Sequence, residues 1–219
     1  MDQLLADDVI DLARFHATPL VRVPFDHIVV PGLVPRERAL AAARAFPGPD
    51  LPGVLPAPAS EPDDAFGQLL RDIRAPATTE AFAEKFGLAL DPASLMVTLR
   101  ARTRPIDGRI HTDSETKLVT ALIYLNGDWS EAGGRLRLLR GPNDIEDMIA
   151  EVPPLAGTLI AFRRTTNSWH GHKPFEGVRR ALMLNWMVDA ATARREMRRH
   201  ALSAGFKHLF SGRPGAGRT

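Results

Sequence analysis

Residues 94–103 read SLMVTLRART, alternating apolar and polar with the period of two that a half-buried strand requires. Four more segments of strand length follow: KLVTALIYLN at 117–126, GGRLRLLR at 133–140, GTLIAFRR at 157–164 and VRRALMLNWMV at 178–188. Turn-rich stretches such as NGDWSEAGG and RTTN separate them. Five or more short strands in succession predict a β-sandwich or open barrel, with helices packed on one side.

The helices come from the first ninety residues. Leu4, Leu5, Val9, Leu12 and Ala13 form an amphipathic stripe. Pro35 sits ahead of the alanine-rich RERALAAARAF, where a first-turn proline belongs. DAFGQLLRDIR and TTEAFAEKFG also carry helical spacing, the second stopping at Gly87. Between RERALAAARAF and DAFGQLLRDIR lie six prolines from Pro47 to Pro62, which rule out a helix or an inner strand because each removes a backbone donor. A loop of that length is a lid or is disordered. The expected organisation is a helical and proline-rich region over 1–93, a β core over 94–189, and a basic helix with a disordered tail over 190–219.

Composition narrows the chemistry. The 219 residues include no cysteine, which removes disulfides, thiolate metal sites and a cysteine nucleophile. Any metal must therefore be held by His, Asp and Glu. Four Asp before residue 12 are the wrong charge for a leader peptide, and no apolar run is long enough to cross a bilayer. The expectation is a cytoplasmic protein without a membrane. From Arg194 to Thr219 seven Lys/Arg face one Glu, but no aromatic residue interleaves them, so a solvated helix is expected rather than a nucleic-acid surface.

His111 and Asp113 in IHTDSET are two residues apart, so on an extended chain both side chains point to one face. Alone, the pair also fits a surface turn. His170 in NSWHGHKPFEG follows two strands later and can return to face the pair across a barrel mouth. Two imidazoles and one carboxylate form the facial triad of non-heme Fe(II) oxygenases, whose open positions suit a bidentate 2-oxo acid plus dioxygen. Arg180 shares a strand face with Leu182, Leu184 and Trp186, and an arginine on an apolar inward face needs an anion. Its fork would take the distal carboxylate of 2-oxoglutarate. Arg179 points the other way by the same alternation. Tyr124 can donate its hydroxyl to the same carboxylate.

With those pieces in place, the chain resembles Fe(II)/2-oxoglutarate dioxygenases of the prolyl-4-hydroxylase-like type. HTD, VTALIYLNGDW with GGRLRLL, PLAGTLIAF, SWHG and GVRRALMLNW stand in the family's order over roughly residues 94–188. The resemblance implies an α+β fold with a mainly β core: a double-stranded β-helix (jelly roll) with an N-terminal helical support region and a C-terminal helix. It implies His111, Asp113 and His170 as iron ligands, Arg180 as carboxylate anchor, Tyr124 beside it, and Thr120 at a neighbouring pocket position. The stretch after His170 is a residue shorter than in some members, which leaves Arg179 as the alternative anchor. His172 is an extra histidine that is second to His170 as ligand.

The implied cofactors are Fe(II), the co-substrate 2-oxoglutarate and O2, with ascorbate as a candidate reductant. The implied reaction is hydroxylation of an unactivated C–H bond with release of succinate and CO2. The substrate, a protein side chain, peptide or small metabolite, would sit between the 47–62 loop, the 103–110 segment and the 126–134 loop. Trp129 is read as a buried hinge under Gly133–Gly134. Asp107, His16, His27, His200 and His208 belong to no cluster and are read as surface residues. The rival readings are a cupin-like metalloenzyme and a catalytically silent binding module.

Overall fold

The computed structural model describes residues 8–47 and 51–211. Four helices precede the main strands: α1 (Leu12–Ala17), α2 (Arg36–Arg44), α3 (Ala65–Arg74) and α4 (Pro76–Phe86). Asp64 starts α3 by accepting from the backbone N–H groups of Phe66 and Gly67, both at 2.9 Å. Pro76 opens α4, and Gly87 ends it in the left-handed conformation at φ +62°. Pro35 lies one place further out than expected, as the N-cap of α2.

Among the described residues nine strands form two sheets. The large one runs β1 (His27–Val30), β7 (Leu159–Arg163), β4 (Lys117–Tyr124), β9 (Gly177–Met187), β3 (Leu95–Thr103), β2 (Leu55–Pro56). The small one runs β6 (Met148–Val152), β5 (Leu136–Leu139), β8 (His170–Gly171). All the strand pairs are antiparallel. This is the jelly-roll architecture, with a C-terminal helix, α5 (Ala190–Ser211), after the last strand.

The large sheet is buried on both faces. One face presents Val97, Leu99, Ala121, Ile123, Leu182, Leu184 and Trp186 to the helices, where Phe66, Leu69, Leu70, Ile73 and Phe82 meet them. Burying a side chain of that size contributes about 1.5–3 kcal/mol. Trp186 packs on Phe82 with ring centroids 4.4 Å apart, and its Nε1 donates to Thr79 Oγ1 at 3.1 Å. The other face turns Leu122, Tyr124, Ile160, Phe162 and Ala181 toward Leu136, Leu138 and Val152 of the small sheet. Gly157 lets the β7 end close on the helices: its φ is +82°, and a Cβ there would stand 1.9 Å from the Val34 carbonyl oxygen.

Several expectations need correction. β1 lies within the region read as helices and loops, and it pairs with β7 at one edge of the large sheet. β2 lies within the proline-rich loop, which tolerates a strand there because β2 is the opposite edge. The described part of that loop is strapped down rather than poised over the barrel. Arg74 donates to the Pro58 carbonyl and pairs with Glu61, both at 2.6 Å, and a Cβ on Gly67 would collide with the Pro62 carbonyl oxygen at 1.7 Å. His27 is buried, its Nδ1 2.9 Å from the Phe25 carbonyl oxygen. Leu4, Leu5 and the tail over 212–219 lie outside the described residues. Among the described residues no helix is long and apolar enough to cross a membrane.

Candidate active site

The site is built on the sheet face turned away from the helices. Along β4 that face carries Thr120, Leu122 and Tyr124, and along β9 it carries Arg179, Ala181, Met183 and Asn185. The two strands are in register, Thr120 opposite Asn185, Leu122 opposite Met183 and Tyr124 opposite Ala181.

His111 and His170 are joined by a β-bridge, each backbone N–H donating to the other's carbonyl at 3.0 Å, and their rings stand 4.3 Å apart. His111 Nδ1 lies 2.8 Å from the Arg109 carbonyl oxygen, and His170 Nδ1 lies 3.0 Å from that of Ser168. A carbonyl only accepts, so both rings carry their proton on Nδ1 and leave the Nε2 lone pair free for a ligand. With the Asp113 carboxylate, one ligand atom from each of the three residues falls within 4.8 Å of the others. His111 is exposed at the mouth, whereas Asp113 and His170 are buried.

Electrostatics keep the donor set ready. Burial raises the Asp113 carboxyl, but the Lys117 and His170 charges and hydrogen bonds from Lys117 and Thr120 outweigh it and bring it down to about 2. Lys117 Nζ pairs with Oδ1 at 2.8 Å, and the Thr120 hydroxyl donates to Oδ2 at 2.6 Å. The Asn185 amide lies 3.0 Å from that hydroxyl. A hydroxyl has one proton to give, so both contacts are satisfied when Asn185 offers its NH2 to the Thr120 oxygen. Burial pushes His170 down to about 4, so its imidazole is neutral at pH 7. Two imidazoles held through Nδ1 and an ionised carboxylate, with further positions open to the pocket, fit Fe(II).

The cavity beside these groups has a volume of about 310 Å³. Leu122, Leu136 and Met183 form its apolar walls, and buried Arg179 and half-buried Arg100 are its cations. Arg179 is 2% exposed. Its Nε donates to the Gly134 carbonyl at 2.6 Å, and an Nη donates to the Tyr124 hydroxyl at 3.1 Å. Burial pushes the Tyr124 hydroxyl up, against the pull of the Arg179 and Arg100 charges, so it stays protonated and able to donate.

The expected inward orientation of Arg180 is therefore corrected. The face it shares with Leu182, Leu184 and Trp186 is the helix-covered one, and its guanidinium lies over the Phe46 ring at 5.8 Å from the centroid. Arg179 occupies the pocket instead. Thr120 lines the same pocket, and its hydroxyl reaches Asp113. His172 lines the cavity but stands outside the metal-competent cluster; its ring packs where a Cβ on Gly108 would sit, at 2.3 Å. Of the three expected walls, only Ile106 to Arg109 line the cavity among the described residues, so Asp107 is a pocket residue rather than a surface one. Trp129 is half-buried over the Gly133–Gly134 turn and donates to the Gly133 carbonyl at 3.0 Å. Arg100 escaped the sequence reading. Its signal was strand parity: it stands opposite Ala181 on β9.

Residues 103–188 match the family model of the 2OG-Fe(II) oxygenase superfamily. The fold of this chain is of the prolyl-4-hydroxylase-like type. A prolyl-4-hydroxylase from Pseudomonas putida is similar with a TM-score of 0.53 and 19% identity, over 80% of this chain and 92% of that one. A prolyl 4-hydroxylase from Phytophthora capsici is similar with a TM-score of 0.56 and 18% identity, over 80% of this chain and 64% of that one. A 2OG-Fe(II) oxygenase family oxidoreductase from Burkholderia pseudomallei gives 0.53 and 12%, over 81% and 90%. No curated protein matches the chain in sequence. The protein is an oxidoreductase of the dioxygenase class, and its family implies Fe(II), 2-oxoglutarate and O2 as cofactors.

Proposed function

We propose that His111, Asp113 and His170 hold Fe(II), that Arg179 and Tyr124 take the distal carboxylate of 2-oxoglutarate, and that the enzyme hydroxylates an unactivated C–H bond. The observation that carries this reading is the pair of imidazoles pinned through Nδ1, with Nε2 converging on Asp113 at the mouth of a pocket whose far end holds a buried arginine–tyrosine pair. A cupin-like metalloenzyme or a silent binding module would have no use for that second pair.

With Fe(II) bound, the site supplies oxidative decarboxylation of 2-oxoglutarate, one oxygen atom of O2 entering succinate and the other the new alcohol. The chain's own residues do the positioning. The Arg109 and Ser168 carbonyls fix the ring tautomers, and Lys117 and Thr120 hold the Asp113 carboxylate ionised and oriented. Leu122, Leu136 and Met183 keep water from the co-substrate's methylene chain. A cavity of about 310 Å³ is at the small end for ligand sites, and the co-substrate takes much of it. The group to be hydroxylated is thus presented from outside, past exposed His111. That geometry favours a protein or peptide side chain over a small metabolite that would need to be engulfed.

The test is succinate formation by the purified protein with Fe(II), 2-oxoglutarate and air. Wild type should release succinate slowly without any second substrate, while His111→Ala and Asp113→Ala should release none and still fold. Wild-type turnover in either variant would remove that residue from the ligand set.

A further inference from the structure

Two guanidiniums, Arg100 and Arg179, line the cavity, with the Tyr124 hydroxyl behind Arg179, and the proposed function leaves Arg100 unused. Arg100 on β3 stands opposite Ala181 on β9, and Ala181 stands opposite Tyr124 on β4. Cross-strand partners share a face, so Arg100 and Tyr124 look at each other across a methyl group, roughly 10 Å apart at Cα. Arg179 is two residues before Ala181 and lies on the same cavity wall.

Among the described residues no hydrogen bond or ion pair accounts for the place of Arg100. Among the described residues its Nε is shut off from solvent without a hydrogen bond, and its guanidinium lines the cavity that holds the triad. Arg179 is the leading charge acting on it, and it is repulsive. The nearest carboxylate in effect, Asp107, is engaged by the Arg104 backbone N–H at 2.9 Å and guanidinium at 3.1 Å. Two guanidiniums enclosed together are costly unless an anion lies between them.

We infer that Arg100 is a second cationic anchor for the distal carboxylate of 2-oxoglutarate, closing on it from β3 while Arg179 and Tyr124 hold it from β9 and β4. This rests on the proposed function above. The cross-strand row argues against a separate anion site for the second substrate, because Arg100 shares its face with Tyr124 through Ala181, and Arg179 on that face donates to Tyr124.

The test is calorimetric titration of the Mn(II)-loaded protein with 2-oxoglutarate and with 2-oxopentanoate, which has a methyl group in place of the distal carboxylate. Arg100→Gln should weaken 2-oxoglutarate about 10- to 100-fold and 2-oxopentanoate less than about twofold. Arg100→Lys should fall between wild type and Arg100→Gln for 2-oxoglutarate, since the charge stays and the fork is lost. If Arg100→Gln does not fold, Arg100→Lys carries the test, weakening the dicarboxylate alone. Equal loss of both acids, or 2-oxoglutarate binding within about twofold of wild type in the variant used, overturns the inference and leaves the proposed function standing. Absence of metal-dependent 2-oxoglutarate binding in the wild type overturns both.

Discussion

Replacing Arg179 by Met, with Arg180→Met beside it, separates the two faces of β9. The Arg179 guanidinium carries five N–H donors, of which one goes to Gly134 and one to Tyr124. The rest are available to a carboxylate in a closed cavity. Losing one side of a buried, hydrogen-bonded charge pair costs about 3–5 kcal/mol. At about 1.4 kcal/mol per decade, that is roughly two to nearly four decades in the Kd for 2-oxoglutarate. Arg180 lies on the helix-covered face, over Phe46 and 3.4 Å from the Ala43 carbonyl oxygen. Arg180→Met should therefore leave that Kd within about twofold and cost about 1 kcal/mol of stability. Calorimetry on the Mn(II)-loaded variants reads the affinities, and thermal melts confirm that each is folded. If Arg180→Met lost the affinity and Arg179→Met kept it, β9 would be shifted by one residue and the whole assignment of the pocket face would be wrong.

Thr120→Val removes the hydroxyl that holds Asp113 Oδ2 and should weaken Mn(II) binding about 10- to 100-fold, with Thr120→Ser close to wild type; equal affinities for Val and Ser would deny the hydrogen bond any role. Acid should unfold the metal-free protein partly through His170, whose folded value of about 4 lies below its ordinary 6.5. Its contribution is then fully present above pH 6.5 and lost as pH falls toward 4, by up to about 3 kcal/mol. Asp113, held near 2, stays ionised across that window. Urea titrations from pH 7 to 4 should show a shallower loss for His170→Gln, and an unchanged slope would place the acid sensitivity elsewhere. Gly157→Ala puts a methyl group against the Val34 carbonyl in a left-handed backbone, so about 3 kcal/mol, or roughly 6–12 °C in Tm, should be lost; a wild-type melt would mean that the loop simply moves aside.

The jelly roll was legible because five of its strands carry clear patterns, and the triad because its three residues fall in short motifs in a fixed order. What the pattern could not tell was which face of β9 looks inward. Leu182, Leu184 and Trp186 make the more apolar face, which suggests a barrel interior. Helices cover that face, however, and the true interior carries Arg179, Met183 and Asn185. When both faces of a sheet are buried, alternation gives the period but not the side. Arg100 was hidden for a related reason, since its meaning depends on register with Ala181 across a long connection. β1 and β6, each at the edge of its sheet, went unread although they are as long as β5 and β7.

The sheet with one face for helices and one for the cavity also sets what selection or design can change. On β4 and β9 each residue serves either the hydrophobic layer or the cavity, almost never both. Leu122, Met183 and Leu136 can be exchanged to reshape the chamber while Ile123, Leu184 and Trp186 go on holding the helices. Point substitutions thus explore new substrates at little cost to folding. A one-residue insertion or deletion within β9 does the opposite, since it turns Arg179 to the helices and Trp186 to the cavity. Relatives of this chain should accordingly diverge by replacement within these strands and by length only in the turns between them.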